Sequence, residues 1–303
     1  MSEVFIVDEE LQDIRIDKYL NEFLKDNSRT YIQKLIKNGN VLVNDNPCKA
    51  NYRVQSEDRI SVDIPTPVTA DILPENIPID IIYEDDDILI VNKPKDLVVH
   101  PAPGHYTGTL VNALMYHCKD NLSNINGVLR PGIVHRIDKD TTGALIVCKN
   151  DYSHNFIATQ LKEHSITRGY VGIVCGVVKD DKGVIDAPIC RNKIKRKEMC
   201  INELNGKNAV THYEVIRRFE KYTLMKFNLE TGRTHQIRVH MASINHPLLG
   251  DEIYNRNKCP FKLQGQCLHA RTIGFIHPTT KKYVEFEAKI PEYFSNLTDN
   301  VLK

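Results

Sequence analysis

The segment HRIDKDTTG, residues 135–143, sets a carboxylate, Asp138, between Arg136 and Lys139, with Asp140, Thr141, Thr142 and Gly143 following. Apolar runs flank it, GIV before and ALIV after. Turn formers between two strand-like runs read as a loop held by rigid flanks, a common setting for catalytic groups. A carboxylate placed there can be a nucleophile or a general base once it is ionised, fixed and shielded from water. It can equally be an Asx-turn group with a structural task, helped by Thr141 or Thr142. TGRTHQIRVHM (231–241) puts Arg233, His235, Gln236, Arg238 and His240 into one strand-to-helix passage beside the apolar Ile237, Val239 and Met241. So many polar groups among apolar ones need partners. Few anions besides Asp138 and Asp140 are at hand, and a carboxylate paired with arginine stays ionised even when partly buried. KPKDLVVHPAPG (93–104) adds His100 in a proline-rich loop.

The chain that must hold these groups has 303 residues, 41% of them apolar, enough to bury a core and to form a small domain plus a larger one. A formal net charge of +1 means that affinity for nucleic acid has to come from local patches. The acidic start MSEVFIVDEELQ lacks the order of a signal peptide, and runs such as 144–148 are too short to span a membrane. The eight cysteines form no C-x-x-C pair, which favours reduced thiols in a cytoplasmic protein over zinc fingers or disulfides. No His/Cys/Asp spacing suggests a metal, and no glycine-rich phosphate loop follows a strand, so binding of a nucleotide cofactor is unsupported.

Residues 65–78, PTPVTADILPENIP, carry prolines at 65, 67, 74 and 78 and read as a linker. It divides the chain into a domain at 1–72, which takes in the start of the linker, and a larger domain at 80–303. In the first, RIDKYLNEFL (15–24) sets Ile16, Tyr19, Leu20, Phe23 and Leu24 at helical spacing. SRTYIQKLIKNG (28–39) forms a second helix, with Ser28 as N-cap, Ile32, Leu35 and Ile36 inside, and Gly39 at the end. Short strands follow in VLVN and DRISVDI. The cations Arg15, Lys18, Arg29, Lys34 and Lys37 accompany the helix pair, as a solvated surface or as a binding face. Beyond the linker, DDILIVNKP, GALIVCKN, YVGIVCGVV, YTLMKFNLE and YVEFEAKIP read as strands, with helices at 109–118 and 154–164 between them. The chain is thus α+β, a small α/β domain followed by a β-rich mixed-sheet domain. RNKIKRKE (191–198) carries five cations against one Glu, a solvated loop or a phosphate contact.

The order R-I-D-K-Y-L, S-R-T-Y-I-Q-K-L-I-K-N-G, V-L-V-N, D-R-I-S-V resembles an S4 RNA-binding domain over residues 13–64. HRIDKDTTG is similar to the HRLD-x-x-T-S/T-G signature of RluA/RluD-type pseudouridine synthases. NKP (92–94), VVHPAPG (98–104), GTLVNAL (108–114), ITRGYVGIV (166–174), GRTHQIRVHM (232–241), HPLLGD (246–251) and LHA (268–270) follow in that family's order. The S4 domain and the length bring it nearest the RluD-like members. The resemblance implies breakage of the N1–C1′ bond of a uridine in RNA, turning of the uracil and joining of C5 to C1′, redox-neutral and without a cofactor. It implies Asp138 as the nucleophilic carboxylate, Arg238 as its ion-pair partner and Tyr170 as the ring packed on uracil. Arg136 would fill the space left by a flipped base. His135 and Ile237 join the substrate-facing set, although His135 and His235 by themselves read as hydrogen-bonded structural groups. Arg15, Arg29, Lys34, Lys37, Lys193, Lys195 and Arg196 become candidate RNA contacts. The implied partner is RNA, large-subunit ribosomal RNA or its precursor particle, met by a monomer. Asp96 stands where the family has glycine in K-P-x-G, a departure expected to alter a turn outside the active site. Two rival readings are a non-catalytic RNA binder and a glycosidase. The intact Asp138, Tyr170 and Arg238 oppose the first. The second lacks an obvious second acid and sugar-stacking tryptophan.

Overall fold

ILIV and ALIV alternate between two apolar faces, the pattern of strands covered on both sides. The computed structural model, described over residues 2–24, 28–64, 72–102, 105–119, 121–127 and 130–302, places both in one sheet. The chain divides into two compact units, Met1–Thr69 and Ala70–Lys303.

The first unit has strands β1 (Ser2–Ile6), β2 (Val41–Val43), β3 (Asn46–Pro47) and β4 (Arg59–Asp63) in the antiparallel order β1-β4-β2-β3. Helices α1 (Ile16–Phe23) and α2 (Arg29–Lys37) bury Ile16, Tyr19, Leu20, Ile32, Leu35 and Ile36 against Val41, Ile60 and Val62. Ser28 caps α2 by accepting the Tyr31 N–H, and Gly39 follows the helix at φ +78°. Phe23, expected inside, is exposed: it ends its helix and lies against Tyr19 and Phe5 at the surface. Asp17 is fully buried under the helix pair and accepts hydrogen bonds from Arg15, Arg29 and Gln33. Burial pushes its carboxyl up, yet these three donors outweigh burial and hold it at about 2.

The strands of the second unit's mixed sheet are β5 (Asp80–Glu84), β6 (Ile88–Lys93), β7 (Thr142–Cys148), β8 (Thr167–Cys175), β9 (Lys182–Asp186), β12 (Val210–Arg218), β13 (Tyr222–Leu229), β14 (Leu268–Ile276) and β15 (Tyr283–Glu287). They run in the order β5-β6-β7-β14-β8-β13-β12-β9, with β15 branching from β14. Strands β10 (Ile189–Arg191) and β11 (Met199–Ile201) form a separate hairpin. The helices are α3 (Leu110–Cys118), α4 (Asp151–Lys162), α5 (Gln236–Ser243) and α6 (Glu292–Asn296). Leu89, Val91, Leu145 and Val147 meet α3 on one face, while Ile88, Ile90 and Ile146 meet Ile157 of α4 on the other. Pairing is antiparallel throughout the named strands except between β7 and β14.

The linker expected at 65–78 falls partly outside the described residues, at 65–71. Its second half packs on the second unit: Ile72 is buried there, Glu75 N donates to Asn112 O, and Asn112 Nδ2 donates to Leu73 O. Pro103 and Gly104 of VVHPAPG also lie outside the described residues. Among the described residues no helix is long and apolar enough to cross a membrane.

Candidate active site

The HRIDKDTTG loop delivers Asp138 to the start of the fully buried β7. Thr141 N donates to Asp138 O and closes a turn directly beneath the carboxylate. Gly143 follows at φ +112°; a Cβ there would lie 2.1 Å from the Ala270 carbonyl oxygen, so glycine is what lets β7 run beside β14. Lys93 holds the loop from below. Its buried Nζ donates to the carbonyls of Pro94, Leu97 and Lys139 at 2.7, 3.0 and 2.8 Å. Burial pushes this ammonium down to about 7, with Asp140, Asp138 and Asp96 acting the other way.

Asp96, expected in a turn outside the active site, does not line the Asp138 cleft. It adopts the left-handed backbone, φ +63°, that glycine would take freely, and its Oδ1 sits 2.6 Å from Lys139 Nζ. The turn is therefore tied to the Asp138 loop rather than remote from it. Both side chains are more than half exposed, so the pair orients more than it stabilises.

Arg238 reaches Asp138 from α5. The turn before this helix is clamped by Gln236, whose Oε1 accepts from Thr231 Oγ1 and Arg233 N and whose Nε2 donates to Val210 O. His235, at the N-cap, adopts a left-handed φ of +56°, uncommon for residues other than glycine. Arg238 Nη1 donates to Asp138 Oδ2 at 3.0 Å, while Nε and Nη2 donate to Asp251 at 2.7 and 2.9 Å. Asp251 is fully buried and also accepts the N–H groups of Ile253 and Tyr254. Burial acts against the Arg238 charge, but Asp251 and Asp138 outweigh it and raise its pKa. The Asp138 side chain is 18% exposed, so one edge of an ion-paired carboxylate faces a cleft.

His235 Nε2 faces Asp138 Oδ1 at 3.9 Å, too far for a hydrogen bond. Its Nδ1 meets Tyr254 Oη at 2.8 Å, and the same hydroxyl accepts the Met199 N–H. Tyr254 thus connects β11 to the group beside Asp138. Burial pushes the His235 imidazole down, so it is neutral at pH 7.

Tyr170, in mid-sheet on β8 opposite Phe227 and Ala270, lines the cleft with Arg136, Ile137, Ile237, Leu229 and Leu268. Burial pushes its hydroxyl up to about 12, against Arg168 and with Asp138, so it presents a neutral ring. The cleft has a volume of about 50 Å³, room for a few water molecules. His135 does not line it: its Nε2 accepts the Ile146 N–H and burial pushes it down to about 3, a neutral structural histidine.

The basic residues separate into groups. Arg15 and Arg29 are engaged with Asp17, with side chains 39% and 44% exposed, whereas Lys34 and Lys37 are exposed on α2. Lys193, Lys195 and Arg196 are exposed on the loop of the β10–β11 hairpin, with Lys195 paired to Glu198, and none lines the Asp138 cleft. Among the described residues two groups of potential metal ligands converge, Glu84/His117/Cys118 and Asp85/Asp87/His277. Internal partners, Lys149 on Glu84 and Tyr83 on Asp85, already bind their carboxylates. Residues whose roles the sequence did not disclose are Asp251, Lys93, Tyr254 and Arg168. The first two lie within the HPLLGD and NKP motifs, but nothing in those motifs names their partners.

A buried Arg lies between two carboxylates, one of them at the edge of a cleft with a tyrosine ring, on a mixed sheet, an arrangement able to support carboxylate chemistry on a planar ligand. A family model described as RNA pseudouridylate synthase matches residues 87–243, and an S4 domain model matches residues 14–60. The chain belongs to the RNA pseudouridylate synthases, isomerases that act on uridine in RNA, and carries an S4 domain ahead of the catalytic one. It is 52% identical over 295 residues to a Bacillus subtilis (strain 168) protein named uncharacterized RNA pseudouridine synthase YlyB, covering 97% of this chain and 96% of that one. It is 46% identical over 298 residues to the Zymomonas mobilis ribosomal large subunit pseudouridine synthase D, covering 94% and 92%. Among solved structures it resembles human RNA pseudouridylate synthase domain containing 1, with a TM-score of 0.60 and 25% identity over 76% of this chain and 89% of that one.

Proposed function

We propose that this synthase isomerises uridines of large-subunit ribosomal RNA, with Asp138 as the nucleophilic carboxylate and the target base flipped into the Asp138 cleft. The observation that carries the reading is the arrangement of Asp138: Oδ2 is fixed by Arg238 while the other oxygen, Oδ1, accepts no hydrogen bond among the described residues. A carboxylate kept ionised and aimed at a bound ring is what breaking the N1–C1′ bond requires. The C5–C1′ bond then forms, C5 gives up its proton and N1, freed from C1′, takes one up, so the product is an isomer with no net oxidation. Tyr170 supplies the surface against the uracil, and Ile237 packs at the edge. The exposed Arg136 stands at the mouth of the cleft. A displaced planar guanidinium can take the place of the departed base in the stack. The choice of RNA rests on relatives named for large-subunit rRNA.

The test is tritium release from 5-[³H]uridine-labelled large-subunit rRNA. Asp138→Asn should release none while still binding the RNA. Turnover near the wild-type rate by that variant would remove Asp138 from the role.

A further inference from the structure

Beside the Asp138 cleft lies a second, larger cavity, of about 510 Å³. The two share Arg136, Tyr170, Leu229 and Arg233 as a common wall. Lys162, Arg168 and the imidazole of His164 also line it, and among the described residues no carboxylate does. Lys162 ends α4 and is exposed on its outer side, whereas Arg168 comes from β8 and is 9% exposed. Arg168 Nη2 donates to Glu230 O at 2.6 Å, but its buried Nε has no acceptor among the described residues. Burial lowers the pKa of this guanidinium, Tyr170 acts against that, and Arg233 adds like charge. A buried cation with an unused donor and cationic neighbours is costly unless an anion joins it. The backbone makes room for this arrangement at Gly232, where a Cβ would lie 2.5 Å from Arg168 Nη1. Nothing in the mechanism at Asp138 uses Arg168, Lys162 or His164.

We propose that this recess is a phosphodiester-binding site. It takes one backbone phosphate of the RNA strand next to the target uridine, with Arg168 as the buried donor and Lys162 and Arg233 at the rim. An occupant beyond the shared wall of Tyr170 and Arg136 is covalently joined to the base at Asp138, because an RNA strand carries one phosphate per nucleotide. Fixing that phosphate fixes which nucleotide reaches Asp138. Arg168 and Lys162 are then positioning and specificity residues. The proposal rests on the reading of Asp138 as the reaction centre.

The experiment measures binding with chemistry switched off, in the Asp138→Asn background. The probe is a nonaribonucleotide with one central uridine among cytidines, its phosphodiesters replaced one at a time by uncharged methylphosphonates. Replacement at one position flanking the uridine should weaken binding about tenfold, the effect of removing one charge-assisted hydrogen bond. Lys162→Ala, an exposed site that leaves the core intact, and Arg168→Gln should each weaken binding of the unmodified RNA. Either variant should make that one replacement nearly silent, and the salt slope should fall by about 0.7 for each phosphate no longer neutralised. A scan with no sensitive position, or equal sensitivity in the Lys162→Ala and Arg168→Gln proteins, would overturn the proposal. Asp138→Asn protein that still forms pseudouridine would instead refute the Asp138 reading, so the two failures are distinct.

Discussion

Asp251 offers the sharpest test of how the site is held, because it touches no substrate in this arrangement yet makes two of the three hydrogen bonds that fix Arg238. Asp251→Asn keeps the size and one carbonyl oxygen. It removes the negative charge, the second acceptor and the bidentate geometry. Arg238 and Asp251 have side chains only 6% and 0% exposed, so water does not replace what is removed. Removing one partner of a buried pair costs about 3–5 kcal/mol; Asp138 still balances Arg238, which places this case near the lower end, about 3 kcal/mol. For a unit of this size each kcal/mol shifts Tm by about 2–4 °C, so melting should fall by roughly 6–12 °C. Turnover should fall further than stability suggests. An Arg238 free to swing displaces the Asp138 carboxylate, and misplacement on the order of 1 Å costs about 10²-fold. Calorimetry gives the first number. Tritium release, at a temperature where both proteins are folded, gives the second, with the loss in kcat rather than KM. Wild-type melting together with wild-type kcat would show that Arg238 is positioned without Asp251.

Arg136→Ala should slow single-turnover reaction most on a folded stem-loop and less on an unstructured oligomer with the same uridine. Equal losses on both would reduce Arg136 to an electrostatic role beside Asp138. A chain beginning at residue 70, which keeps the buried Ile72, should fold and retain catalysis but bind RNA more weakly with a shallower salt dependence; an unchanged slope would mean that Lys34 and Lys37 do not meet phosphate. His135 is held neutral, at about 3, whereas in the unfolded chain it titrates near 6.5. The unfolded state therefore binds the proton first as pH falls below 6.5, and stability drops across that window, by at most about 2 kcal/mol at pH 5. His135→Gln, whose carbonyl can still accept the Ile146 N–H, should flatten that part of the pH dependence in urea titrations; a parallel decline in both proteins would contradict the assignment.

Strand and helix periodicity located β6, β7, β8, β13, α3 and α4 because each buries alternating or helical apolar sets that are visible locally. The edge strand β1 was not legible: Val4 and Ile6 are half exposed and their partners, Ser61 and Arg59, lie 57 and 53 residues on, in β4. Asp138 and Arg238 were legible through motif order. Their separation of 100 residues meant that no local spacing could pair them. Asp251 and Lys93 were opaque for the opposite reason. Each sits inside a recognisable motif, but its partners are an arginine from another helix and three backbone carbonyls, which composition does not record. Arg15 and Arg29 looked like free surface charge because the burial of Asp17 depends on how α2 folds back over α1, and a helical wheel of α1 alone does not show it.

The parallel join between β7 and β14 has a consequence for when the enzyme becomes active. Thr142, four residues after Asp138, pairs with His269, and their side chains share a hydrogen bond of 2.8 Å across 127 residues of chain. Closing so long a loop must be completed before its interactions are gained, and such non-local topology folds slowly. Until β14 is in place, β7 lacks its neighbour on the side of β8 and Tyr170, and the Asp138 loop has no fixed partner strand. During synthesis, then, Asp138, Arg238 and Asp251 are all made before the strand that aligns them. A nascent chain halted ahead of Leu268 should carry the whole charge cluster and show no activity.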